Sequence, residues 1–195
     1  MQKCPDMVSQ MLNKSGYNDR DWRTFVIRWL GISLILHLMT AICSVGYQNS
    51  DEHFQILEFI AYKFNMAPAS GLAVEYSRAM RSWVQPFFYY VGLLPLRVLE
   101  VNDPFIWATW VRIMSSLLGW LGVVGLALCV KVLIKDRLWQ KAAVVVLALT
   151  WYLPAFHARH SSENFSGTLF TLGVVLFTLG QGIRKDFRLG FAVGL

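Results

Sequence analysis

Long apolar stretches separated by short charged ones dominate the chain. The apolar runs extend from Phe25 to Val45, Pro104 to Ile134, Lys141 to Phe156 and Phe165 to Gly182. A helix crosses the hydrocarbon core of a bilayer with about 20 apolar residues, so these runs predict spans, the third only marginally. The run Pro86 to Leu99 is shorter, starts at a proline, holds Pro95 inside and ends beside Arg97 and Glu100. That pattern predicts an interfacial or re-entrant helix and not a crossing.

Charge orders these elements. If Pro86 to Leu99 does not cross, Lys3, Lys14, Arg20, Arg23 and Arg28, the loop with Lys131, Lys135, Arg137 and Lys141, and the loop with Arg184, Lys185 and Arg188 share one side. The excess of Lys and Arg on cytoplasmic loops makes that side the cytoplasm. The expected organisation is a cytoplasmic N-terminal segment, 1–24, and a transmembrane region, 25–195, in which 46–103 form the first extracytoplasmic loop. A second, short outer loop runs from His157 to Asn164. The polar residues ahead of Phe25 are too many for a signal peptide's leader and no small-residue cleavage site follows, so the first run is read as an uncleaved anchor. Leu189 to Leu195 begins a further apolar stretch too short to span, so more chain is expected after it.

Composition agrees: of 195 residues, 55% are hydrophobic and 14% aromatic, which disfavours a water-soluble globular class. The net charge of +6 lies in the inter-span segments, so it reads as topology and not as a nucleic-acid surface. Cys4, Cys43 and Cys129 form neither a disulfide framework nor a zinc pattern. The fold class expected is an all-α polytopic membrane protein.

Within the long loop, Phe54, Leu57, Ile60, Ala61 and Phe64 recur at helical spacing while Gln55, Glu58 and Lys63 fall elsewhere, predicting an amphipathic surface helix capped by Ser50 or Asp51. Asn65 to Gly71 breaks it, and a second short helix is expected from Glu75 to Trp83, with Arg78 and Arg81 on one face. Asp51-Glu52-His53 reads either as an acidic helix start that complements the helix dipole or as a general base at the membrane surface. Arg78 and Arg81 read as headgroup-contacting side chains or as a clamp for a lipid phosphate. In the second loop, His157, His160 and Glu163 step by three, a weak metal pattern without the usual zinc spacing. Arg159 and Glu163 form an i,i+4 pair at the membrane boundary, where charges are costly unless paired or functional. Arg112, inside the second span, is read as reaching outward to the interface. Asn164-Phe-Ser166 matches a glycosylation sequon but stands at a span's entry, and Gly119, Gly122 and Gly125 read as a close-packing face.

Asn49-Ser-Asp-Glu-His-Phe-Gln-Ile-Leu-Glu58, Val74-Glu-Tyr76, Met80-Arg-Ser-Trp83 with Pro86, and Ala158-Arg-His-Ser-Ser-Glu-Asn164 together resemble the glycosyltransferase family 22 mannosyltransferases. Ser50 stands where that family has proline and Val74 where it has tryptophan, and the second-loop motif is only loosely met. The resemblance implies a C-type glycosyltransferase fold that moves mannose from a polyprenyl- or dolichyl-phosphate carrier, with inversion, to a glycan or glycolipid acceptor. This is the chemistry of glycosylphosphatidylinositol-anchor and lipid-linked-oligosaccharide assembly. It implies Asp51 as the base, Glu52 as its orienting partner or alternative, and Arg81 and Arg159 on the donor phosphate. His53, Gln55, Glu75 and Glu163 are the other substrate-binding candidates. No cofactor, metal or nucleic acid is expected. The compartment would be the endoplasmic reticulum membrane in a eukaryote or the inner membrane in a prokaryote, with the active loop extracytoplasmic. A transporter or flippase and a non-catalytic membrane subunit are the competing classes; the first would place charged or broken spans at the bilayer midplane.

Overall fold

A computed structural model of the chain describes residues 19–47, 52–78 and 82–180. All regular elements among them are helical. The long first helix, α1 (Asp19–Cys43), buries Trp22, Val26, Leu30, Ser33, His37 and Ala41, a stripe stepping by three or four, while Ile27, Ile35, Met39 and Ile42 on other faces are exposed. An apolar residue on every side of a helix is the signature of a span, because lipid replaces water on the outer face.

The first loop opens with a π-helical turn, Glu52–Leu57, that runs into α2 (Glu58–Lys63). Its buried face is Glu52, Ile56, Ile60 and Phe64; Ile60 and Phe64 lie in the core as their spacing predicts, with Leu57 packed against it, while Phe54 is 48% exposed and Gln55, expected on the polar side, is buried. A π turn holds more residues than an α turn, so it rotates the face by part of a turn, and such widened turns gather at functional sites. Asn65, at φ +58°, ends the segment as its sequence predicts. A 3-10 turn, Ala69–Gly71, and the short α3 (Val74–Ser77) follow. Because α3 stops at Ser77, the expected helix to Trp83 is not formed as one piece; Arg78 is exposed beyond its end.

The next helix, α4 (Val84–Val98), is too short to cross a bilayer and lies against the central helix α5 (Pro104–Leu133). Gly92 allows their close approach: Trp110 Nε1 donates to the Gly92 carbonyl at 2.9 Å, and Met114 occupies the space a Cβ would need. Pro104 fills the first turn of α5, where its missing N–H goes unused, and Asp103 caps it by accepting from Phe105 N at 2.8 Å. The predicted third span is broken in two, α6 (Arg137–Leu149), capped by Asp136, and α7 (Tyr152–His157), with Pro154 in the second piece. The last described helix is α8 (Ser162–Leu179), capped by Ser161.

Two helices, Arg20–Cys43 and Pro104–Leu133, are long and apolar enough to cross a membrane. They pack against each other, α5 also meeting α4, α6, α7 and α8. At one end Lys131, Arg137 and Lys141 lie over Trp22 and Phe25, so the start of α1 and the basic loop after α5 share that end. At the other, the first loop, α4 and the outer half of α5 build a core of Ile56, Ile60, Tyr89, Leu93, Trp107 and Val111. Gly125 lets α8 close on α5, where a Cβ would meet Val175 at 2.8 Å.

Candidate functional site

The end of the bundle opposite the basic loops holds a cluster of polar side chains drawn from four segments, the π turn, α4, α5 and the turn between α7 and α8. Glu52, at the start of the π turn, is 1% exposed, and His160, in the turn between α7 and α8, is fully buried. The His160 ring donates from Nε2 to the Glu52 carbonyl at 3.1 Å and holds Nδ1 4.0 Å from Glu52 Oε2. Arg159 places Nη1 3.9 Å from the same carboxylate oxygen and donates to the Gly46 carbonyl at 3.0 Å. The first loop and the turn between α7 and α8 are thus joined through one carboxylate.

Helices α4 and α5 supply the walls. Gln85 donates from Nε2 to the His160 carbonyl at 2.8 Å. Tyr89, 1% exposed, shares a hydrogen bond with Ser115; burial pushes its phenol up to about 12, with the Glu52 charge adding to the effect, so it remains a neutral hydroxyl. Arg112 does not reach outward to the interface: it is 8% exposed and donates to the Ser44 carbonyl at the end of α1. Burial holds the His160 imidazole down at about 4; its bond to the Glu52 carbonyl opposes this, and the charges of Arg112 and Arg159 reinforce it. His160 is accordingly a neutral donor between two guanidinium groups. Two arginines thus lie near His160, Arg112 on the Ser44 carbonyl and Arg159 on the Glu52 carboxylate and the Gly46 carbonyl.

The sequence candidates divide between these surroundings. Glu52 and Arg159 meet; Gln55 is buried in the same turn. His53 turns to the outer side, where it pairs with Glu58 at 3.4 Å and lies 5.2 Å from the Tyr47 ring. Asp51 and Arg81 lie outside the described residues, as does the side chain of Glu75. Glu163 stands away from Glu52, lining a cavity with His157 and Asn164. His157, His160 and Glu163 do not share a helix face, because α7 ends at His157 and α8 starts at Ser162. Among the described residues no group of three or more His, Cys, Asp or Glu side chains could hold a metal ion. Asn164 is engaged locally, donating to the Arg159 carbonyl.

Gln85, Tyr89 and Ser115 are not site candidates in the sequence, and His160 figures there only in a weak metal pattern. Each is polar in an otherwise apolar helical stretch or beside one, a signal that gains meaning only when the partner is known.

A helical chain with two membrane-length apolar helices and a buried arginine–carboxylate cluster at one end has the make-up of a membrane protein. The pattern defining the Alg9-like mannosyltransferase family matches residues 28–188, and the chain belongs to that family. Neither the curated proteins nor the solved structures gave a match. Family membership points to glycosyltransferase activity, with a sugar donor and a glycan acceptor.

Proposed function

We propose that the chain carries the catalytic outer loop of a polytopic, C-type enzyme that transfers mannose from a polyprenyl- or dolichyl-phosphate carrier to a glycan or glycolipid. In this reading the acceptor hydroxyl attacks the anomeric carbon while the bond to the phosphate oxygen breaks, inverting that carbon. Asp51 takes the hydroxyl proton, and the bonding electrons leave with the phosphate. Arg159, with Arg81, receives the developing phosphate charge.

The observation that carries the reading is the burial of Glu52 between Arg159 and His160. A carboxylate so enclosed is poorly placed to serve as the base for a large acceptor arriving from outside. It suits a positioning role, fixing the chain just after Asp51 and holding Arg159 in register. The acidic pair thereby divides into a base, Asp51, and a buried anchor, Glu52.

The same topology puts both outer loops on the extracytoplasmic side, facing the endoplasmic reticulum lumen in a eukaryote or the periplasm in a prokaryote. Between Phe105 and Val130 of α5 only Arg112 is charged, whereas the third apolar run is broken between α6 and α7; the family match is what favours an enzyme over a transporter. The test is transfer in isolated membranes containing the full chain, with polyprenyl-phosphate [³H]mannose and GDP-[³H]mannose supplied separately. Incorporation from the lipid donor when lipid-phosphate mannose synthesis is blocked supports the proposal; incorporation only from the nucleotide sugar overturns it.

A further inference from the structure

Beyond the arginine cluster, along α5, a cavity of about 210 Å³ lies between α5, α7 and α8. Gly119, Gly122 and Gly167 give it room, Val123, Leu126 and Leu153 supply apolar wall, and His157, Glu163 and Asn164 supply polar rim. From Gly119 to Leu126 it follows α5 for about 10 Å at the rise of an α-helix. It therefore combines a polar rim and an apolar wall within a membrane-length helix.

The rim presents acceptors. His37 donates from Nδ1 to the Ser33 carbonyl at 2.7 Å. In this neutral, 1% exposed ring Nε2 then carries the lone pair, and it accepts Nδ1–H of His157 at 2.9 Å. The chain of bonds fixes His157 as the tautomer with a bare Nε2. The contact is tight, for a Cβ at Gly119 would stand 2.2 Å from His157 Cγ. Asn164 spends its Nδ2 hydrogens on the carbonyls of Arg159 and His157, which leaves Oδ1 as an acceptor. Glu163 adds a carboxylate, and no Lys or Arg lines the space. Thr168 and Thr171 also line it, the Thr171 hydroxyl being given to the Gly167 carbonyl, so a phosphate there would face a carboxylate and lone pairs with one hydroxyl to donate to it. Hydroxyl groups would find acceptors in His157, Asn164 and Glu163, with apolar wall for the methylenes that follow.

We infer that this cavity binds the hydroxyl-bearing head of a membrane lipid, through His157 Nε2, Asn164 Oδ1 and the Glu163 carboxylate, with its first methylenes against Leu126 and Leu153. This neutral hydroxyl site at His157, Asn164 and Glu163 is separate from the phosphate site proposed at Arg81 and Arg159. This inference stands independently of the transfer reaction, since it requires only that α5 lie in a bilayer. The hydroxyl can belong to a lipid alcohol or to the sugar of a glycolipid.

The test is ligand-dependent thermal stability of the full chain in phosphatidylcholine nanodiscs, titrated with 1-decanol, decyl glucoside, decylamine or decyl phosphate below their micellar concentrations. Decanol or decyl glucoside should raise the melting temperature saturably, decanol alone identifying a lipid alcohol and decyl glucoside a glycolipid. A Cβ at Gly122 meets only Thr171 Cγ2, at an ordinary 3.7 Å, so Gly122→Ala should fold and bind. Gly122→Leu fills the space and should abolish the shift. Should that variant not fold, Glu163→Ala, which removes an acceptor, should weaken decyl glucoside or decanol binding by at least about threefold, while Glu163→Gln, which keeps one, should weaken it less; unchanged binding in Glu163→Ala overturns the inference. An equal or larger shift with decyl phosphate, a decylamine shift that exceeds the others and disappears in Glu163→Gln, no saturable shift with either hydroxyl probe, or a shift that survives in folded Gly122→Leu overturns the inference.

Discussion

Replacing Glu52 by alanine removes a carboxylate that is 1% exposed and stands 3.9 Å from Arg159 Nη1 and 4.0 Å from His160 Nδ1. Two unit charges at that separation attract by about 4 kcal/mol at an effective dielectric constant of about 20. Part of this attraction is offset already by the desolvation of the carboxylate. Arg159, 20% exposed, also regains some hydration once released. The expected loss is therefore about 2–3 kcal/mol, below the 3–5 typical of a fully enclosed pair. Thermal unfolding of the detergent-solubilised chain, followed by circular dichroism, measures it for Glu52→Ala, Arg159→Ala and the double variant. The cycle should return a coupling energy of about 1–2 kcal/mol. Glu52→Gln, which keeps the volume, should recover packing but not coupling. Single-variant losses that add to within about 0.5 kcal/mol would refute the claim that this carboxylate ties the first loop to the turn between α7 and α8.

Steric and titration effects give further tests. Gly119→Ala should cost about 1–3 kcal/mol, because its Cβ would meet the His157 ring, itself held by His37, whereas Gly92→Ala meets only the flexible end of Met114 and should cost less; melting temperatures of the two variants decide it. His160 is held at about 4 against an ordinary 6.5, so as pH falls below 6.5 the unfolded chain takes up the proton first. Stability should fall between about pH 6.5 and 4 and change no further through this group below 4; melting temperature against pH should be flatter in His160→Gln. In a chain with its own cysteines replaced, a cysteine put at Arg78 should react with an impermeant maleimide from the extracytoplasmic side, and one at Arg137 should not. The reverse labelling would remove the topology on which the site depends.

The two helices that pass the test for a span were legible because their apolar runs are continuous and their ends are marked, by the basic residues near Trp22 and by the Asp103-Pro104 start of α5. Lys141 to Phe156 was less so: hydropathy sees one run, but the helix stops at Leu149 and restarts at Tyr152. The first-loop helix keeps the expected face at Ile60 and Phe64 but not at its start, where a 3.6-residue period cannot register the π turn at Glu52–Leu57 that exposes Phe54 and buries Gln55. Arg112 was read as outward-reaching because its acceptor, the Ser44 carbonyl, is 68 residues away in the chain. The same separation of partners hid Gln85 and His160, and His37 with His157, which meet only after α1, α4, α5 and α7 have packed. Of the glycines expected to pack closely, Gly119 and Gly125 do, against His157 and Val175, whereas Gly122 has room for a Cβ and lines the cavity beside His157.

The central claim is that mannose leaves a lipid phosphate through a reaction at the first outer loop with Asp51 as base. Membranes containing the full chain, or its Asp51→Asn or Glu52→Gln variant at equal abundance, should be supplied with polyprenyl-phosphate [³H]mannose and acceptor, and initial rates compared. Loss of a general base predicts a fall of at least about a hundredfold for Asp51→Asn, with a smaller fall for Glu52→Gln. Wild-type rates in Asp51→Asn, with Glu52→Gln inactive, would contradict the assignment and make the buried carboxylate the base.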